Sequence, residues 1–433
     1  MTSLLVKGAR VIDPRNGTDE FRDIYITGGI IHSCPIAGEH YRVFDARGLI
    51  AVPGLVDLHV HFREPGGEYK EDIETGSRAA AHGGFTTVCC MPNTKPVLDN
   101  RDTVEFVDKR GNEAGFVNLL AAGALSLGQE GKELADYEGM VKANTLARKL
   151  LASGICALSE DGKTLDEPDL MRKAAKQAKK LGLCIMDHAQ DSALSVGGII
   201  NRGVISKQLG VSGIPNCAEY LIVARDIAIA RETGCHIHLQ HISARESVEL
   251  IRGAKREGLN ITAETAPHYF ALTDEAIITH KANAKMNPPL RAEPDRQAII
   301  KGLCDGTIDA IATDHAPHSE AEKELPLEEA AFGIVGLETA FAIAYTKLAL
   351  PGHLSLPRLI RLMSVNPSDI IGLKRGSLAD GDPADLAVID TNTPYAIDRN
   401  TFFSKGKNTP FHGMNVYGCV KLTVCGGKIS WEE

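Results

Sequence analysis

"DLHVHFREPG", residues 57–66, follows the apolar run "LIAVPGLV" at 49–56. Two histidines with one residue between them end what reads as a buried strand, and Arg63 comes two places later. Side chains at i and i+2 of a strand share a face. His59 and His61 can therefore reach one ion, since imidazole suits zinc and similar divalent metals. The pair alone is weak evidence, because His236 and His238 in "CHIHLQH" repeat it and read as structural or supporting residues. Its weight depends on how other strands end.

Eight short β-rich runs follow one another from this point: "GLVDLHVHF", "GFTTVCCMPN", "VNLLAAGAL", "GICALSED", "LCIMDHAQ", "CHIHLQHIS", "NITAETAPHY" and "IDAIATDHAPH". Helical patterns such as "YKEDIETGSRAAAHGG" and "ESVELIRGAKREG" separate most of them, with glycines as helix stops. Eightfold strand–helix alternation favours a (β/α)₈ barrel over an open sheet. No Gly-rich phosphate loop supports a doubly wound alternative. The first fifty and last sixty residues differ, reading as strands and turns. The sequence thus predicts a barrel over 52–366 and a small β-sandwich domain built from both termini, residues 1–51 and 367–433, since neither end has enough strands alone.

Chemistry in such barrels sits at the C-terminal ends of strands. The first run ends in His59 and His61, the fourth in Asp161, the fifth in His188, the sixth in His241 and the eighth in Asp314. Six candidate metal ligands at five strand ends are hard to explain by packing. Asp314 could also be a helix N-cap, and Asp161 a turn residue in "SEDGKT". A zinc ion lowers the pKa of its water to about 7, and Asp314 is placed to take up that water's proton and return it to a leaving nitrogen.

Composition narrows the classes. A net charge of −9 argues against non-specific nucleic-acid binding, which needs a basic face. No run approaches the roughly 18 apolar residues of a membrane span, and the N-terminus lacks the pattern of a signal peptide. Ten cysteines without a CxxC pair read as reduced, mostly buried thiols of a cytoplasmic protein.

Four stretches carry a resemblance: residues 57–100, from "DLHVHFREPG" through "MPNTKPVLDN", then "MNPPLR", "DAIATDHAPH" and "AFGIVGLETAF". Together they resemble the dihydroorotases of the amidohydrolase superfamily over almost the whole chain. That resemblance implies reversible hydrolysis of L-dihydroorotate to N-carbamoyl-L-aspartate in pyrimidine biosynthesis, with one or two zinc ions. It implies His59 and His61 on one ion, His188 and His241 on a second, Asp161 bridging, and Asp314 as ligand and general acid/base. Arg63, Asn93 and His318 would share the substrate carboxylate, a planar guanidinium gripping it through two parallel hydrogen bonds. His61, Asn287 and the backbone of Phe332 and Gly333 would complete the substrate contacts.

The chain departs from many amidohydrolases at two places. Asp161 stands where a carboxylated lysine is common, with Lys163 lying beyond the glycine, and Gln190 replaces a carboxylate near His188. Two rivals remain: a dihydropyrimidinase- or allantoinase-like hydrolase, whose substrate would leave Arg63 unpaired, and a non-catalytic partner of aspartate transcarbamoylase, which would lack ligands. A homodimer is the expected assembly, and a complex with the transcarbamoylase is compatible with an active chain. The polar stretch at 319–336 is expected to close over the substrate.

Overall fold

The structure, a computed structural model, describes residues 3–433, so the first two residues of the expected N-terminal segment lie outside the described residues. All eight predicted runs are strands, labelled here β1 to β8 in chain order: Leu55–Val60, Phe85–Cys90, Asn118–Ala124, Ala157–Ser159, Ile185–Asp187, Ile237–Leu239, Ile261–Thr265 and Ala310–Ile311. Each pairs in parallel with the next. A parallel bridge between Val60 and His315 closes the ring, and the His61 amide donates to the His315 carbonyl at 2.9 Å. Asp57 pins the same seam by accepting from the amides of Thr313 and His59, both at 3.1 Å. Its burial pushes the carboxyl up to about 7.

Strand alternation sorts the core into two sets. Val88, Cys90, Leu119 and Ala121 join the large apolar cluster shared with the helices, while Cys89, Met91, Leu120 and Ala122 join a smaller one. The helix Ile73–His82 starts at Asp72, which forms a capping box with Thr75, and it buries Ala79, Ala80 and Ala81. Arg245–Arg256 buries Val248, Ile251 and Ala254, three residues apart, as the sequence pattern requires.

Both termini contribute to a separate sheet. Its order runs Lys428–Glu432, Cys419–Cys425, Leu386–Asp390, Ile50–Pro53, Ser3–Asp13, Thr18–Thr27 and Ile30–His32, with Tyr41–Asp45 also beside Ser3–Asp13. The C-terminal strand Leu386–Asp390 lies antiparallel to Ile50–Pro53, so the sheet extends to residue 53 and needs both chain ends. It encloses its own apolar cluster, including Leu4, Val11, Ile24, Leu386 and Val424. Between Leu386–Asp390 and Cys419–Cys425 the chain makes an excursion that carries Ser404, Lys405 and Asn408 onto the barrel. No helix among the described residues is long and apolar enough to cross a membrane, and no disulfide is present among them.

Candidate metal centre and substrate site

The six strand-end side chains converge on one buried point. Asp161 lies at its middle. Its Oδ1 is 3.1 Å from His59 Nε2, 3.6 Å from His188 Nδ1 and 3.7 Å from His241 Nε2, while its Oδ2 is 3.4 Å from His61 Nε2. Asp314 Oδ1 lies 3.3 Å from His61 Nε2 and 3.6 Å from His59 Nε2. Two triads have ligand atoms close enough for one ion each: His59, Asp161 and His241, and His59, His61 and Asp314. His188 stands beside them, its ring centroid 4.5 Å from that of His241.

The chemistry of these groups fits a cation. His59 Nε2, Asp161 Oδ1 and both ring nitrogens of His241 are buried without a hydrogen-bond partner, a costly state that a bound ion would relieve. Burial opposes charge on His59, but Asp161, Glu264 and Asp314 outweigh it and raise its pKa well above the ordinary value. Burial likewise opposes ionisation of Asp314, yet the hydrogen bond from His61 and the charges of His59, His241 and His61 hold its carboxyl below the usual range. The N-cap role does not describe Asp314, since the nearby short helix Glu320–Glu324 is capped by Ser319. Asp161 does lie in the turn of "SEDGKT", the Lys163 amide donating to the Glu160 carbonyl at 3.1 Å, and from there its side chain faces the imidazoles. The backbone is strained here too. His241 and Asp314 have φ of 34° and 49°, and Arg63 has 60°, a region costing about 1–3 kcal/mol for residues other than glycine.

Sequence reading missed the group that orients His59. Glu264, at the end of β7, is buried and places Oε1 3.1 Å from His59 Nδ1 and Oε2 3.1 Å from His238 Nε2. Burial would raise it, but hydrogen bonds from His238 and His59 lower it to about 2, so it stays ionised. This contact directs His59 Nε2 inward and gives His238 its supporting role. The only available signal was a lone carboxylate inside a predicted strand, ITAET. Lys163 points away from the cluster, donating to the Gln129 carbonyl at 3.1 Å. Asn93 bridges His61 Nδ1 at 3.0 Å and Asp161 Oδ2 at 3.4 Å, and Asn287 Nδ2 lies 3.3 Å from His188 Nε2 with its own Oδ1 unpartnered.

A cationic wall stands next to this cluster. Arg63 Nε donates to the Pro317 carbonyl at 3.2 Å, and its Nη2 lies 3.3 Å from His318 Nε2. His318 Nε2 in turn donates to the Phe332 carbonyl at 2.7 Å, and Lys70 Nζ lies 3.4 Å from His318 Nδ1. Burial, with Arg63 and Lys70 alongside, pushes His318 down to about 3 and leaves it neutral. Gly333 has φ of 127°, and a Cβ there would lie 2.7 Å from the Ala316 side chain, so the position requires glycine. Its amide already donates to the Lys285 carbonyl at 3.0 Å.

A closed (β/α)₈ barrel with imidazoles and carboxylates gathered at its strand ends has the architecture of the metal-dependent barrel hydrolases. A family model described as dihydro-orotase-like matches residues 48–247. Proteins named dihydroorotase from Acetivibrio thermocellus and Bacillus subtilis are each 44% identical, over 99% and 100% of this chain and 99% of their own lengths. One from Geobacillus kaustophilus is 47% identical over 93% of this chain and 92% of its own. The L-hydantoinase (dihydropyrimidinase) from Arthrobacter aurescens superposes with a TM-score of 0.87 at 25% identity, covering 100% of this chain and 96% of that one. The chain belongs to the dihydroorotase family of cyclic-amide hydrolases.

Replacing Glu264 with glutamine should weaken metal binding by about 10–100-fold while the fold survives. Titration against a competing chelator reads this directly, and an unchanged affinity would remove Glu264 from the orientation of His59.

Proposed function

We propose that the protein interconverts L-dihydroorotate and N-carbamoyl-L-aspartate, running towards ring closure in pyrimidine biosynthesis. One observation carries the substrate assignment. Arg63, beside the histidine–carboxylate cluster, makes no salt bridge among the described residues, its polar neighbours being the Pro317 carbonyl and His318. A partly buried guanidinium with no carboxylate in contact is costly, the charges of Asp314 and Asp161 acting on it only from a distance, and a substrate carboxylate would supply the missing contact through charge-assisted hydrogen bonds. Substrates of dihydropyrimidinase or allantoinase type have no ring carboxylate to offer it.

His59, His61, Asp161, His188, His241 and Asp314 would hold one or two zinc ions, the ion that such a nitrogen and oxygen set suits. When bound, zinc supplies Lewis acidity and a water acidic enough to react near neutral pH. The chain's own groups do the rest. Arg63, with His318 and Asn93, grips the carboxylate and fixes the ring. Asn287 and the backbone at Phe332 meet the ring amide groups, with Gly333, whose amide and carbonyl are already bonded within the protein, fixing that backbone in place. His61 lies between the cluster and the substrate. Asp314, ionised in the resting site, takes the proton of the attacking water as the C–O bond forms. It then returns that proton to the ring nitrogen as the C–N bond breaks. Ring closure uses the same atoms in reverse.

The proposal extends to cellular setting and assembly. Ten unpaired thiols suit the reducing cytoplasm, and a homodimer, the commonest closed assembly, is the working form, with docking to an aspartate transcarbamoylase compatible with an active chain.

Hydrolysis of L-dihydroorotate, dihydrouracil and allantoin should be compared on protein of assayed zinc content. Turnover confined to dihydroorotate supports the proposal; preference for either other substrate would discard the carboxylate pocket. Arg63→Met should raise KM for dihydroorotate about 100-fold, the loss of strong hydrogen bonds to a charged group, while zinc content holds. Asp314→Asn should lower kcat by at least about 1,000-fold in enzyme shown to retain metal, and turnover near the wild-type rate would mean another group carries the proton.

A further inference from the structure

Two lysines on the substrate side are almost wholly buried. Lys285 is 1% exposed and Lys323 is 8% exposed. Neither forms an ion pair among the described residues. Lys285 Nζ donates to the carbonyls of Leu327, Glu328 and Ala330 at 2.6, 3.2 and 2.6 Å, and it lies 4.4 Å from the centre of the Phe332 ring. Lys323 Nζ donates to the carbonyls of Lys285, Ala331 and Gly333 at 3.3, 2.9 and 2.8 Å. Each ammonium group thus spends its three protons on backbone carbonyls.

The carbonyls belong largely to a segment that cannot satisfy them itself. Residues 325–333 form neither helix nor strand. The two side chains gather five of that segment's carbonyl groups, and the Gly333 amide returns a bond to the Lys285 backbone at 3.0 Å. Asn408, from the C-terminal excursion, adds a second donor to the Gly333 carbonyl at 3.0 Å. An ammonium group loses several kcal/mol of hydration on burial, so two of them are an expensive way to fill space. A compact three-donor head on a long stem suits the collection of three carbonyls of irregular backbone at one point.

We infer that Lys285 and Lys323 are positioning residues, a double staple that holds residues 327–333 preformed so that Phe332, with Gly333 bonded in place behind it, presents its backbone to the substrate without a further ordering step. The inference rests on the substrate contact proposed above for Phe332. It also recasts the sequence expectation for 319–336: this stretch is strapped down, with the strap anchored on the same loop that carries Asn287. Burial and the neighbouring Lys285 push Lys323 down to about 7, yet three carbonyl acceptors favour the fully protonated head.

The test compares full-length wild-type protein with Lys285→Met, Lys323→Met and the milder Lys323→Gln, all with assayed metal content. Backbone amide exchange over 327–333 should quicken by at least about tenfold. KM for L-dihydroorotate should rise about tenfold, since ordering the strap is now charged to binding, with kcat within about twofold and metal content unchanged. Unchanged exchange overturns the staple. Faster exchange with unchanged KM overturns the positioning role, as does a joint loss of kcat, KM and metal, which would mark a purely structural pair. Wild-type protein that leaves dihydroorotate untouched overturns the substrate reading, and the positioning role with it. Unchanged exchange in protein that does turn it over removes the staple alone.

Discussion

The site depends on Asp161 being held, ionised and out of water, among imidazoles that could not otherwise sit so close. Its Oδ1 lies within 3.1 to 3.7 Å of three histidine nitrogens from three different strands. Burial alone would protonate such a carboxylate, but the surrounding histidines hold its pKa well below the ordinary value. In return Asp161 is the first of the charges that raise His59. The barrel makes this bearable. Its backbone hydrogen bonds fix the strand ends independently of the cluster, so closeness is imposed by the fold rather than bought by the attraction alone.

That imposition leaves marks. Arg63, His241 and Asp314 all sit at positive φ, and each follows a strand whose regular backbone has just ended. Strain of this kind survives only where surrounding structure over-determines it. Here the over-determination is visible: Asp57 ties the β1–β8 seam, Val60 pairs with His315, and His315 Nδ1 accepts from the amides of Gly336 and Leu337 at 3.2 and 3.5 Å. The same seam therefore closes the barrel and positions Asp314 and Arg63 on either side of it.

The terminal sheet also reaches the site. The excursion between two of its strands places Ser404 against Glu71, whose other oxygen accepts from the Lys405 amide at 3.2 Å. Asn408 bonds the Ala316 and Gly333 carbonyls at 3.1 and 3.0 Å and accepts from the His318 amide at 3.1 Å. A region that looks remote in sequence thus buttresses the loop that carries the cationic wall.

The sequence by itself determined the eight strand–helix units, the terminal strands and the histidines and carboxylates at the strand ends. All of these are local signals: apolar runs of strand length, helical periodicity before glycine stops, and polar groups just past an apolar run. The family motifs then singled out Arg63, Asn93, Asn287 and His318. For Glu264 the local pattern offered only a lone acid in a strand, and nothing local announced Lys285, Lys323 or Asn408. Glu264 acts on a histidine 205 residues away, and Asn408 on a carbonyl 92 residues away. A glutamate in a strand or a lysine in a polar loop reads as surface until its partners are known. Only the tertiary structure decided that these groups are buried, because burial and the identity of a hydrogen-bond partner are properties of what packs against a residue and not of the residues beside it in the chain.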